Sequence, residues 1–430
     1  MNPVVIGLDL GTSGVRAVAM TTDAEVVAQA AVPMAPPRRD GSAVSQSASV
    51  WADAVDACLS ELHRTLDHTR VRAIAVDGTS GTVLLTDALG TPVADALMYN
   101  DARAVDEARR IATIAPPESA AHGASSALAR LLYLQALHAD DKAVHLLHQA
   151  DWIAGRLLGR YGDSDENNAL KTGYDPIARA WPAWFDALGV RREWLPRVHP
   201  PGTPLGSVSQ ETAAQYGWRA DTQVHAGTTD GVAAFLATGA SEVGDAVTSL
   251  GTTLVVKLLS DRPLFAPDFG IYSHRLGDQW LAGGASNAGG AALLAHFSAE
   301  RMAELTPLLQ PDTPTGLDYY PLPGIGERFP LNDPKQQART TPRPGDDARF
   351  FQGLLEGLAA IERLAFLRLK ELGAPALRSV RSVGGGAKNP AYSRIRERAL
   401  AVAMPAPLHT EAACGAAMLA RRALPKTPKD

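Results

Sequence analysis

The chain is poor in cysteine, with only Cys58 and Cys414 in 430 residues, far apart. So small a supply excludes a disulfide framework, and the spacing matches no zinc site. A reducing, cytoplasmic setting is the expectation. Long hydrophobic runs are missing too. No apolar stretch approaches the roughly 18 to 20 residues needed to cross a bilayer. Nor do the first residues show a basic segment followed by an apolar one, the mark of a secretory signal. No membrane partner is expected. Positive charge is not in excess either: 41 Lys and Arg stand against 46 Asp and Glu, a net charge of -5. That leaves no electrostatic footprint for nucleic acid. What remains, 46% hydrophobic and 20% charged, is the composition of a soluble globular protein. Its length exceeds one ordinary core and points to two or three domains.

What is present begins with "VVIGLDLGTSGVRAVAM", residues 4–20. An apolar strand ends near a lone acid, Asp9, then comes Gly-Thr-Ser-Gly, then a returning strand. The spacing of Trp51, Val55, Leu59, Leu62 and Leu66 predicts a helix over 50–68. "VRAIAVDG" reads as a strand, "TVLLTDALGTPVADALMY" as a hairpin, and 125–138, 148–158 and 231–238 as helices. From Asp245 the pattern partly restarts with "TSLGTTLVVKLL", a second hairpin. Strands at 271–274 and 280–282, a small-residue helix at 288–297 and an irregular stretch at 306–344 follow. A long helix at 346–372, the strand "SVRSV", the turn "GGGAKN", the helix "PAYSRIRERALAVA" and a last Ala-rich helix close the chain. A hairpin recurring after half the chain, each time leading an α/β segment, implies two similar halves. The domains are expected at 1–240 and 241–430.

Each hairpin tip offers main-chain N–H groups in a tight turn, a geometry that receives phosphate oxygens. Thr12, Ser13, Thr252 and Thr253 add hydroxyl donors. Asp9 beside one tip is wrong for binding phosphate directly. It suits a Mg²⁺ ion or a substrate hydroxyl between them, or it simply caps the turn. In "AGTTDGVAAFLATGA", Asp230 precedes an Ala-rich helix. That position suits an N-cap and equally a general base. In "SVGGGAKNPAYSRI" three glycines after a strand let another molecule approach the backbone, without the spacing of a Walker A loop. Lys388 and the "RIRER" run read as solvated, Lys171 as a surface lysine, and Trp181 and Trp184 as packing residues. His122, His138, His145 and His148 show no metal-ligand spacing. Asp101 and Arg103 fit a structural ion pair or the wall of a substrate pocket.

Taken in order, these segments resemble the FGGY family of carbohydrate kinases, within the actin-like ATPase superfamily. "GLDLGTSGVRAVAM" and "TSLGTTLVV" are similar to its two phosphate segments, and "AGTTDGVAAFLATGA" to the segment with its catalytic aspartate. "GGASNAGGAAL", "GGGAKNPAYSRI" and "EAACGAAMLA" resemble its later motifs. "DGTSGTVLLTD", "YNDARA" and "SDENNALKTGYD" look like the compact D-ribulokinase branch. The resemblance implies an α/β fold of two actin-like (ribonuclease H-like) domains with an interdomain cleft. It implies ATP and Mg²⁺, and transfer of the γ-phosphoryl group to a ketopentose, D-ribulose first. Xylulose, another ketose or a polyol is the alternative, and an ATP-binding regulator without sugar transfer is the alternative of another class. Asp230 would be the base, Asp9 would contact sugar or metal, and Ser80 would hydrogen-bond the sugar. Thr12 and Ser13 would meet the transferring phosphoryl group, and Gly251, Thr252 and Thr253 the nucleotide phosphates. Gly384, Gly385, Gly386 and Asn389 would line the adenosine. One departure stands out: after "SRIR" the chain reads "ERALAVAMP" where many members have an Ala-Asp pair.

Overall fold

A computed structural model describes residues 2–138 and 142–422. The chain divides into two α/β units. The first takes in the chain up to Ala237, the short stretch His274–Gly277 and the segment from Glu411; the second takes Thr238–Ser273 and Asp278–Thr410.

The first unit is built on strands β1 (Val4–Leu10), β2 (Gly14–Thr21), β3 (Val26–Pro33), β4 (Val71–Gly78), β5 (Pro204–Ser207) and β6 (Gln223–Thr229). They form one sheet in the order β5-β6-β4-β1-β2-β3. β1 and β4 run parallel, as do β4 and β6, while β1, β2 and β3 are successively antiparallel. All seven residues of β1 are buried, as expected of a central strand covered on both faces. Helix α1 (Ala48–His63) starts at the Ser47 cap and buries Trp51, Val55, Leu59 and Leu62, the apolar stripe of an amphipathic helix. It stops before the expected 68. The Asp67 carboxylate accepts the Thr69 N–H and nucleates a separate turn at His68–Arg70, a local bond that competes with helix. Further helices are α2 (Ala127–Leu137), α3 (Gln149–Leu158), α4 (Glu166–Thr172) and α5 (Asp230–Ala237). The C-terminal helix, Ala412–Arg421, also packs in this unit. It presses so close to β1 that a Cβ on Gly7 would stand 1.9 Å from the Ala413 carbonyl oxygen.

The second unit repeats the plan. β7 (Asp245–Leu250) and β8 (Leu254–Ser260) form an antiparallel hairpin. β9 (Gln279–Ser286) pairs antiparallel with β8, and β10 (Ser379–Val383) parallel with β7. So β10-β7-β8-β9 matches β4-β1-β2-β3 strand for strand, and the duplication expected from the two hairpins is present in the backbone. Helix α6 (Asp347–Glu371) buries Phe350, Phe351, Leu354, Leu355, Leu358, Ile361, Ala365 and Leu369. Helix α7 (Pro390–Leu400) follows the glycine turn.

Three further expectations need correction. The helix foreseen at 288–297 is reduced to Gly290–Leu294, because Gly290 N–H is committed to the Gly251 carbonyl across the hairpin tip. The strand foreseen at 271–274 starts only at His274, since Ile271 bridges back to Ala266. The "RIRER" run is not wholly solvated. Arg396 is 0% exposed and forms a two-pronged ion pair with Glu362 of α6, at 2.6 and 2.7 Å.

Candidate functional site

In the first unit the parallel strands β1, β4 and β6 deliver one acid each at their carboxyl ends. Asp9 and Asp77 are register partners on β1 and β4, and Thr228 of β6 lies opposite Asp77. Two residues later Asp230 opens α5. The carboxyl ends of parallel strands are where α/β sheets bind ligands. Asp77 is fully buried and Asp9 is 5% exposed. Burial, then the carboxylates of Asp9 and Asp230, push the Asp77 carboxyl well above the usual range. Burial also raises Asp9, against the influence of the neighbouring Asp77 carboxyl and the pull of Arg16. Arg16 stands opposite on β2, its Nη1 3.3 Å from Asp9 Oδ2. Asp230 Oδ1 accepts the N–H of Gly231 at 2.6 Å, which leaves both readings of this residue open.

Ser80 sits in the turn after β4, and the turn is fixed on both sides of it. Thr79 donates N–H and hydroxyl to Gln149 Oε1, at 3.0 and 2.7 Å. The buried Arg130 of α2 donates to the carbonyls of Gly81 (2.7 Å) and Met98. Ser80 Oγ itself has no protein partner, and the same holds for Asn100 Oδ1, Gln149 Nε2, Asn167 Oδ1 and Glu166 Oε2. These segments are tied to one another. Tyr99 N–H donates to Thr82 Oγ1, and Asn167 Nδ2 donates to Thr228 Oγ1 on β6. Buried polar atoms are nearly always satisfied, so a group of them on one set of segments calls for a hydroxyl-rich ligand or water. Thr12 is half-buried and Ser13 exposed at the β1–β2 tip, whose turn is closed by Gly11 N–H on the Gly14 carbonyl.

In the second unit a cavity of ≈ 480 Å³ is lined by Gly251 and Thr252 at the β7–β8 tip, by Gly385, Gly386 and Asn389, and by an apolar wall that includes Leu293 and Phe351. That is the size of a small-molecule site. Because β7 and β10 are parallel neighbours, the tip and the glycine turn meet: a Cβ on Gly384, whose φ is +88°, would stand 2.9 Å from the Leu250 carbonyl oxygen. Thr253 and Gly384 adjoin the cavity without lining it. The side chain of Asn389 is largely committed, its Oδ1 to Tyr392 N–H and its Nδ2 to Thr306 Oγ1. Lys388 is exposed.

Two family models match the chain in succession. The N-terminal domain of the FGGY family of carbohydrate kinases matches residues 4–237, and the C-terminal domain matches residues 246–424. The chain belongs to the FGGY family of carbohydrate kinases. As an FGGY kinase it uses ATP and acts on a carbohydrate-type alcohol. It is 26% identical over 349 residues to a xylulose kinase of Escherichia coli, covering 77% of this chain and 71% of that one. It is 29% identical over 271 residues to an erythritol kinase of Brucella abortus, covering 58% and 51%. A solved xyloylose kinase from Brucella ovis shares the fold with a TM-score of 0.88 at 24% identity, over 98% of this chain and 91% of that one. These relatives carry xylulose and erythritol names, so the D-ribulokinase branch is not singled out among them.

Several residues of this FGGY kinase escaped the sequence reading. Asp77 had a visible signal, since "AVDG" repeats the acid-before-glycine ending of an apolar strand. Arg16, Arg130 and Glu362 had none, because their partners lie on other elements. Asp101 and Arg103 form a two-pronged ion pair that also anchors Val44 N–H. Trp181 and Trp184 pack on Phe185.

Proposed function

We propose that this kinase transfers the γ-phosphoryl group of ATP to the terminal hydroxyl of a ketopentose, D-ribulose first. The observation that carries the reading is the cluster of Asp9, Asp77 and Asp230 at three adjacent strand ends, beside the unpartnered Ser80 hydroxyl. Asp230 is the base: its carboxylate takes the proton of the attacking hydroxyl as the new O–P bond forms and the bond to the ADP oxygen breaks. Asp9 orients the sugar, with Arg16 beside it as a compensating cation. Ser80 donates to or accepts from a sugar hydroxyl, and its neighbours Asn100, Gln149 and Asn167 have matching capacity. Thr12 and Ser13 meet the transferring phosphoryl group. Gly251, Thr252 and Thr253 receive the nucleotide phosphates, and the apolar cavity with Gly384, Gly385, Gly386 and Asn389 takes the nucleoside. Phosphoryl transfer demands positioning and charge stabilisation more than covalent chemistry, and hydroxyls, turn amides and a fixed base supply that.

Mg²⁺ fits as an ion carried in on the triphosphate, because Asp9 offers one carboxylate and the tips offer hydroxyls, and Mg²⁺ is held by few carboxylates plus substrate phosphates. When bound it neutralises phosphate charge. Xylulose is the second reading, favoured by the names of the relatives. An ADP-release assay with Mg-ATP across D-ribulose, L-ribulose, D-xylulose, erythritol and no sugar separates them. Turnover with D-ribulose well above the blank supports the first reading. D-xylulose as the best substrate replaces it. Equal turnover in every tube overturns both in favour of a bare ATPase.

A further inference from the structure

The irregular stretch after residue 306 carries a buried acid that none of the motifs includes. Glu327 is 2% exposed. Its Oε2 accepts the hydroxyls of Ser286 (2.6 Å) and Tyr320 (3.0 Å), and its Oε1 accepts the main-chain N–H groups of Asn287 (2.8 Å) and Arg328 (3.0 Å). All four donors are neutral. A carboxylate held out of water is costly unless its oxygens are hydrogen-bonded, and here four donors from three segments converge on one.

From Glu327 a continuous run of bonds leads to the β7–β8 tip. Ser286 Oγ, which donates to Glu327, accepts Ala288 N–H at 2.9 Å. The Ala288 carbonyl accepts Leu254 N–H at 2.7 Å, Gly290 N–H donates to the Gly251 carbonyl at 2.9 Å, and Ala291 N–H donates to the Thr252 carbonyl at 3.1 Å. Between them Gly289 lies so close that a Cβ there would stand 2.7 Å from both the Thr252 carbonyl oxygen and Thr253 Cα. A second tie, Asn287 Nδ2 to the Gly326 carbonyl at 2.9 Å, locks the two strands of chain together. Phe329, fully buried, fills the space over Gly284 of β9. Residues 288–291 therefore hold the tip, and Glu327 holds residues 286–288.

We propose that Glu327 is a positioning residue for the nucleotide-phosphate tip, fixing Gly251, Thr252 and Thr253 through Ser286 and residues 288–291. The proposal rests on the reading above that this tip receives nucleotide phosphates. A tip that is only loosely held would spend part of its phosphate affinity on being ordered.

The test measures ADP binding by calorimetry on the full chain, unaltered and with Glu327→Gln or Ser286→Ala, alongside the KM for MgATP, the KM for sugar and the melting temperature. Glutamine keeps the size and the bond to Asn287 but turns an amide toward a hydroxyl that must donate elsewhere. The expected result for Glu327→Gln is ADP affinity weakened about 10-fold or more, the loss of a charge-assisted bond that orders a loop. The KM for MgATP should rise in step while the KM for sugar stays unchanged. Ser286→Ala should move the same quantities in the same direction. Glu327→Asp, which keeps the charge, should recover part of the affinity lost in Glu327→Gln. A residue serving fold stability alone would lower the melting temperature and leave the ADP affinity of the folded protein untouched, and that result overturns the proposal. Should Glu327→Gln fail to fold, Ser286→Ala decides. If the unaltered chain binds no ADP, the reading of the tip as a nucleotide site fails, and the proposal falls with it.

Discussion

Replacing Arg396 by methionine should destabilise the second unit by about 3–5 kcal/mol, the loss found when one partner of a buried ion pair is removed. Both side chains are 0% exposed, and the guanidinium meets both Glu362 oxygens at 2.6 and 2.7 Å. Glu362 also accepts the Thr248 hydroxyl at 2.6 Å, and Arg396 Nη1 donates to Ser382 Oγ at 2.6 Å. Without Arg396 the Glu362 carboxylate would stay buried with a single neutral donor. At about 2–4 °C per kcal/mol for a unit of this size, the melting temperature should fall by roughly 6–20 °C. Calorimetry with and without saturating ADP reads the shift. The control is the double variant Glu362→Met/Arg396→Met, which removes both charges and should regain most of the loss. A drop below about 1 kcal/mol, the value of an exposed pair, would refute the reasoning. So would a double variant no more stable than the single one. The consequence reaches the site, because Thr248 lies three residues before Gly251 and Ser382 two before Gly384. The pair thus braces the roots of both glycine-containing turns.

Ser80→Ala should raise the KM for the sugar well above its effect on the KM for ATP, because its hydroxyl has no protein partner to lose; equal effects on both substrates would remove Ser80 from the sugar site. In mild acid the buried histidines should withdraw stability, while the raised carboxyls of Asp9 and Asp77, protonated more readily in the fold, act the other way. Burial first, then His68, lowers the His63 ring to about 4 from 6.5, and its Nε2 accepts the Trp218 indole N–H at 2.9 Å. Burial, Arg130 and Lys171 lower His148 to about 3. Between these values and 6.5 these two histidines bind more protons in the unfolded chain than in the folded one. The contribution is therefore complete above about pH 6.5 and is lost as pH falls toward 4. A urea midpoint that shifts between pH 7 and pH 5 by the same amount in His63→Gln as in the unaltered chain would contradict this.

Much of the fold was legible because its signals are local. The strand 4–10 is a continuous apolar run, the helix over Trp51–Leu62 shows its stripe, and the two hairpins repeat a turn that sequence alone displays. β3 was not legible: it is an edge strand with five of its eight residues exposed, and the turn that leads into it, closed by Ala24 N–H on the Thr21 carbonyl, contains no glycine. Of the candidate site, Asp9 and Asp230 stood out beside glycine-containing turns, while Ser80 was named only through the resemblance of "DGTSGTVLLTD". Arg130, Glu327 and Arg396 could not, since each gains its meaning from partners between 14 and 49 residues or more away. Arg396 even looked like part of a solvated run. Only the packing of α7 on α6 reveals that one arginine of that run points inward while Arg394 and Arg398 face acids nearer the surface.

The most direct test of the account is Asp230→Asn, assayed for sugar-dependent ADP release and, in the same preparation, for ADP affinity. Asparagine keeps the shape and an oxygen for the Gly231 N–H while removing the base. The account predicts that transfer falls by about 10²–10⁴-fold, the contribution of a positioned general base, with ADP affinity close to that of the unaltered chain. Near-normal transfer in Asp230→Asn would contradict it.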